Sequence, residues 1–513
     1  MIPTCGFAAQ FDRRRPHPAY RVPLLIAGMA LAPAFLLTPL SAQQPQAQPA
    51  LPPAPQLSAP ATKPPSTSQP DARSQVQTGF ASGLTLDQRL QNLLADHQYS
   101  RVAAQLGQLP ADQAQFYRGL LANRSNKLTE SIQLLEPLVN QVAASGDTAH
   151  EWLIRKALAE DYLRQGDWAK AAQAYETLDS RLHAKLTPEE LDEIELPLKL
   201  LRLAQGNPSM TVEPCEPFPM RASVDSLGLL DLPVYVDARL RNWMLDPTLP
   251  FNLVAESTAK EVGLKVSEET ATIHTLTGRP IQVHAAVVPR FTIGGRLTFH
   301  DMTVFVYKDS DYYFPLTGYQ VEGVLGYPAL AALGSITVTD NIIEVQPAKQ
   351  GQAPLPGELL TAGAPFFLDG DQIITSLGRP GGAEFFAPPG ASGPPRPSDE
   401  YYDRMFAIDA GSQLTYLTAR YFDEHAADFN NAKADMYTFP LHYSPPQPTY
   451  IAETVPLVVG NTAVDFHYIR VLTQPLGTAA LDDVYGVLGI DALDQLKSYT
   501  FDYRTMRFSA QVE

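Results

Sequence analysis

The chain has 513 residues, of which 45% are hydrophobic and 18% charged, enough for several domains with sizeable cores. Its 55 acidic residues against 38 lysines and arginines give a net charge of −17, which argues against nucleic acid or an anionic membrane as partner. Two cysteines leave little room for disulfide chemistry.

Residues 1–42 read as an export signal. Arg13, Arg14, Arg15 and Arg21 precede the apolar run Leu24 to Leu40, and Leu40-Ser41-Ala42 offers a small-residue cleavage site. The alternative is an uncleaved anchor; Pro33 and Pro39 break the run, which is near the lower length limit for a span, and this favours cleavage. The expected product is a periplasmic or extracellular protein without stable membrane insertion, retaining Cys215 but not Cys5. Residues 43–80, rich in Pro, Gln, Ala and Ser, lack the large apolar residues needed to fold and read as a flexible tether.

From 84 to 205 the periodicity is helical. The stretch Ala157 to Leu178 resembles a tetratricopeptide repeat, with weaker relatives at Gly119–Leu138 and Leu94–Leu109. Gly166 and Ala172 are expected to let paired helices approach, with Tyr162, Leu163 and Tyr175 filling the seam. Such an array offers an extended surface for a protein partner, or for docking on the rest of the chain.

Beyond Cys215 the pattern turns to β. Leu232 to Leu240 alternates, is expected to turn at Arg241-Asn242, and returns through the strand ending at Asp246. A short helical turn ending at Gly263 follows. Ile273 to Val288 then reads as a hairpin turning at Gly278-Arg279, and another hairpin crosses Gly294-Gly295. Residues 346–358 join this part to a second, and Ala387 to Ser398 form a Pro/Gly-rich insertion. Asp369-Gly370-Asp371 and Asp482-Asp483 look like polar turns.

The two β parts repeat each other. Phe406 to Leu417 is an apolar strand, Asp409 on an Ala-Gly turn, and a second apolar strand; Trp243 to Val254 is the same with Asp246. Downstream, Gly323-Val324-Leu325-Gly326 is echoed by Gly486-Val487-Leu488-Gly489. The offsets agree (409 − 246 = 163 and 486 − 323 = 163), and Ile336 to Thr339 keeps the register against Tyr499 to Asp502. Three elements in one register mark a duplicated unit.

On these residues each unit resembles a lobe of the pepsin/retropepsin aspartic peptidases. The resemblance implies a multidomain chain, an N-terminal helical domain followed by a mainly-β bilobal body with lobes at 216–346 and 359–513. It implies Asp246 and Asp409 as a catalytic pair, with Gly411, Ser412, Gly326 and Gly489 shaping the supporting turns. The hairpin around Gly278 would lie where the family's substrate-covering flap does. No metal or organic cofactor is implied. Two adjoining carboxylates share one proton; the ionised one takes a proton from the attacking water and the other stabilises the oxyanion.

Pro247 and Ala410 stand where the family carries a hydroxyl residue after each acid, and Thr248 stands where it carries Gly. Two functions therefore remain open on the sequence: an exported aspartic-type endopeptidase acting on polypeptides, and an inactive peptidase-fold protein that binds peptides or partner proteins through its cleft and helical repeats. His-Glu-x-x-His, phosphate-binding Gly-Lys and Gly-x-Ser-x-Gly motifs are absent. His274 and His284 share one expected hairpin without a third ligand.

Overall fold

The computed structural model describes residues 84–247, 249–274, 280–314, 318–348, 363–370, 372–378, 404–412, 414–429, 432–437, 446–476 and 482–512. The export signal, the Pro/Gln-rich tether, the tip at Gly278-Arg279, the 346–358 join beyond Ala348, and the 387–398 insertion lie outside these residues, as do Thr248 and Asp371.

Among the described residues seven α-helices come first: α1 (Leu86–Ala95), α2 (Tyr99–Gln105), α3 (Ala111–Arg124), α4 (Leu128–Ser145), α5 (Thr148–Gln165), α6 (Trp168–Leu182) and α7 (Pro188–Leu203). Local chemistry sets their ends. Thr85 with Gln88, and Thr187 with Glu190, form reciprocal capping boxes, and Pro188 opens α7 where its missing N–H costs nothing. Leu90, Leu120, Leu135, Ile154, Leu158, Tyr175 and Leu178 build one core along the stack. Gly166 does not bring helices together as expected. It ends α5 with φ +79, and a Cβ there would meet nothing within 4 Å. The close approach falls at Gly119, where a Cβ would lie 2.3 Å from Leu135 Cδ2, so α3 and α4 need a glycine.

The remainder is mainly β. In the first lobe, strands Leu230–Val236 and Arg239–Leu245 pair with Val236 opposite Arg239. The turn is therefore at Asp237-Ala238, not Arg241-Asn242; both turn residues have positive φ (46° and 66°), the geometry whose twist suits a two-residue hairpin. Helix Glu256–Glu261 ends near Gly263 (φ +73), and strand Pro280–Ile293 turns through Gly294 and Gly295 into Leu297–Tyr307, both as expected. Ala271–His274 pairs with Pro280–Val283 on the two sides of the expected flap tip.

The duplication is visible in the hydrogen bonding. Strand Gly323–Leu325 runs parallel to Arg239–Leu245 and antiparallel to Leu253–Ala255. In the second lobe Gly486–Leu488 runs parallel to Met405–Ile408 and antiparallel to Tyr416–Leu417. The register is conserved to the residue: Val324 faces Met244 as Val487 faces Ala407, each 163 positions on.

The lobes share one sheet. Among the described residues, beyond seven strands of the second lobe, this sheet ends in the six-stranded layer that joins the lobes, in the order Phe218–Arg221, Ile342–Gln346, Ser335–Thr339, Ser498–Asp502, Arg507–Gln511, Ala364–Asp369. At the centre of that layer Thr337 pairs with Thr500, its own counterpart in the repeat, and their hydroxyls lie 2.8 Å apart. An approximate two-fold axis therefore passes between these threonines.

The helices are packed onto this body. Leu200, Leu203 and Ala204 belong to its core. Asp369, expected in a simple polar turn, closes a hairpin through Gly370 (φ +60), but its carboxylate is engaged by the helices. Arg124 Nη2 meets its Oδ1 at 2.8 Å, and His97 Nδ1 and the Tyr99 hydroxyl meet its Oδ2. Burial alone would raise the Asp369 carboxyl; Arg124 and His97 outweigh it and hold the group well below the usual carboxylate range. A second tie is the Tyr327 hydroxyl, which donates to Asn126 Oδ1 at 2.8 Å.

Candidate active site

Each acid sits where its strand ends and its chain must bend. The Asp246 N–H donates to the Leu325 carbonyl at 3.0 Å, and the Asp409 N–H to the Leu488 carbonyl at 2.9 Å. The bends close alike: Leu249 N–H donates to Asp246 O, and Ser412 N–H to Asp409 O. Leu249 therefore stands in the first lobe where Ser412 stands in the second.

Gly326 and Gly489 hold these bends from behind. A Cβ at 326 would lie 2.1 Å from Phe251 O and 2.5 Å from Leu249 O. A Cβ at 489 would lie 2.9 Å from both Leu414 O and Ser412 O. No side chain fits at either place, which explains the hydrophobic-hydrophobic-Gly pattern. The N–H of Gly326 donates to Asn252 Oδ1 at 3.0 Å, and that of Gly489 to Thr415 Oγ1 at 2.8 Å. Asn252 and Thr415, both buried, brace these bends and were not legible in the sequence, although they too stand 163 positions apart.

The two acids meet at Gly411. Its N–H donates to Asp409 Oδ1 at 3.1 Å. On its other side, a Cβ at 411 would stand 2.7 Å from Asp246 Cγ and 3.0 Å from Asp246 Oδ1. The missing side chain thus lets the Asp246 carboxyl close on the turn that carries Asp409. Both acids are half-buried, whereas Pro247 and Ala410 are buried, so apolar packing replaces the hydroxyls at those places.

Two tyrosines border the pair. The Tyr416 phenol is pushed well up by burial and then by the charge of Asp409. That of Tyr503 is pushed up by burial, by Tyr327 and by Asp246. Both stay neutral and cannot compete with the acids for negative charge. Asp246, Asp409, Gly411 and Ser412 open on a cavity of about 1720 Å³ bounded by both lobes and by the helical region.

Elsewhere the candidates separate. His284 Nδ1 is 2.8 Å from the Ser267 carbonyl, a structural contact; the His274 side chain lies outside the described residues. Cys215 is a free, half-buried thiol pushed up by burial, far from a nucleophile's needs. Among the described residues no three His, Cys, Asp or Glu side chains gather as metal ligands.

A family model described as aspartyl protease matches residues 232–329, the part of the first lobe that holds both Asp246 and Gly326. The body is aspartic-protease-like. Basic 7S globulin from soybean is structurally similar at 10% identity and a TM-score of 0.35, covering 58% of this chain and 95% of its own. A retropepsin-like aspartic protease from Rickettsia conorii is similar at 12% identity and a TM-score of 0.19, covering 27% of this chain and 93% of its own. No curated protein matches the chain.

Proposed function

We propose that the chain is an exported aspartic-type endopeptidase that hydrolyses extended polypeptides, with Asp246 and Asp409 as the pair that activates water. The observation that carries this reading is the convergence of both carboxyls on Gly411. One carboxylate takes a proton from the attacking water, and the other, protonated, donates to the oxygen of the scissile carbonyl. The backbone bonds from Asp246 to Leu325 and from Asp409 to Leu488 orient the acids without the hydroxyls that Pro247 and Ala410 lack.

Those two residues favour a second reading, a binding protein that uses the same cleft, with its helical repeats docking partners. The test is digestion of a diverse peptide library by the purified mature chain from acidic to neutral pH, beside Asp246→Asn and Asp409→Asn. The endopeptidase reading expects cleavage that both substitutions abolish. Peptide binding without cleavage by the folded wild-type chain would favour the second reading instead.

A further inference from the structure

The helical region reaches the cavity that holds the acids. Leu163 and Arg164 at the end of α5, Trp168 at the start of α6, and Leu196 and Leu200 on α7 line that cavity together with Asp246 and Asp409. Trp168 is half-buried and packs against both the helical core and the core of the body. Its indole meets the Phe251 ring edge-on with centroids 6.3 Å apart, and Phe251 belongs to the bend that follows Asp246. The Asp369 cluster and the Tyr327–Asn126 bond fasten the helices to the two lobes on either side. Trp168 is therefore a wall of the cavity rather than part of a surface facing away from it.

We propose that the helical region forms part of the substrate site, with Trp168 as a specificity-determining residue that receives a large apolar side chain of the bound peptide on the first-lobe side of the acids. The indole has the area and stiffness for this, since aromatic side chains offer a large contact surface for few rotatable bonds. A peptide bound in the cavity at Asp246 has Trp168, Leu249 and Phe251 on its first-lobe wall. The inference rests on the endopeptidase reading for its kinetics, but not for its binding geometry.

Two experiments on the full mature chain separate the claims. Matched peptides carrying Phe or Ala at one position near the scissile bond are cleaved by wild type, Trp168→Phe and Trp168→Ala. Trp168→Ala should raise KM for the Phe peptide roughly 10-fold or more, keep the Ala peptide near the wild-type value, and spare kcat, with Trp168→Phe partly rescuing. An equal effect on both peptides, as loosened helix docking would give, or no effect on either, overturns the proposal. In parallel, the Asp409→Asn chain is photolabelled with a peptide bearing benzoylphenylalanine at that position. Labelling of α6 or α7 is expected, and labelling confined to the lobes overturns the proposal. Labelled helices in a chain whose wild type cleaves nothing would reject the endopeptidase reading alone. Cleavage with no label on the helices would reject this inference alone.

Discussion

Replacing Gly411 by Ala perturbs the pair through a single methyl group. The backbone at 411 is not in the left-handed region, so alanine costs nothing in conformation, and the effect comes from space alone. The new Cβ would stand 2.7 Å from Asp246 Cγ, against an ordinary carbon–carbon contact of about 3.5–4.0 Å. The Asp246 carboxyl must therefore recede by about 1 Å, and a displacement of that size in a catalytic constellation can cost about 100-fold in rate. Overpacking of this kind destabilises by about 1–3 kcal/mol, which a folded chain can absorb. The assay is kcat and KM on peptides selected from the library, with thermal unfolding measured alongside. Gly107→Ala serves as control, because nothing lies within 4 Å of its Cβ. We expect Gly411→Ala to lose about two orders of magnitude in kcat with little change in KM. A folded Gly411→Ala chain with at least a third of wild-type kcat would refute the argument that this contact sets the pair.

Two further predictions concern pH. Asp369→Asn should destabilise the chain by about 2 kcal/mol at neutral pH, because it removes one of the two carboxylates, Asp369 and Glu160, that pair with the largely enclosed Arg124 guanidinium. The folded-state carboxyl is held low, so its contribution is present above the unfolded value of about 4 and is lost only as pH falls below that. Urea unfolding should therefore show wild type still more stable than Asp369→Asn at pH 5 as at pH 7, and a difference that already vanishes at pH 5 would contradict the assignment. Asp231 behaves oppositely. Burial, then the charge of Asp225, pushes its carboxyl up to about 7, and one of its oxygens has no hydrogen-bond partner among the described residues. Its folded form holds the proton more tightly than the unfolded one, so stability falls as pH rises from about 4 to about 7, by at most about 4 kcal/mol. Asp231→Asn should remove that slope from the thermal midpoint, and an unchanged slope would sink the idea.

The parts of the site built from short-range repetition were legible in the sequence. Asp246, Asp409, Gly326 and Gly489 announce themselves because each bend needs the same carbonyl and the same absent side chain 163 positions apart. The parts set by tertiary docking were not. Asp369 carries the composition of an ordinary turn, and only the placement of Arg124 and His97 against it makes it an anchor. Trp168 reads as part of a helical repeat, since nothing in α6 records that Phe251 will lie against it. The Asp237-Ala238 turn escaped because Ala rarely takes positive φ, which left Arg241-Asn242 as the more turn-like pair. Gly166 reads as a close-approach glycine and is a helix terminator instead, because a glycine's need for space and its need for positive φ leave the same letter in the sequence.

The most direct test of the paired acids uses a peptide whose scissile carbonyl is replaced by a hydroxyl-bearing tetrahedral carbon, titrated calorimetrically into wild type, Asp246→Asn and Asp409→Asn. A pair built to stabilise the tetrahedral state should bind this peptide at one site per chain, more tightly than the parent peptide by about 100-fold or more. Both substitutions should remove that preference. Equal affinity for the two peptides, or a preference that survives either substitution, would contradict the account.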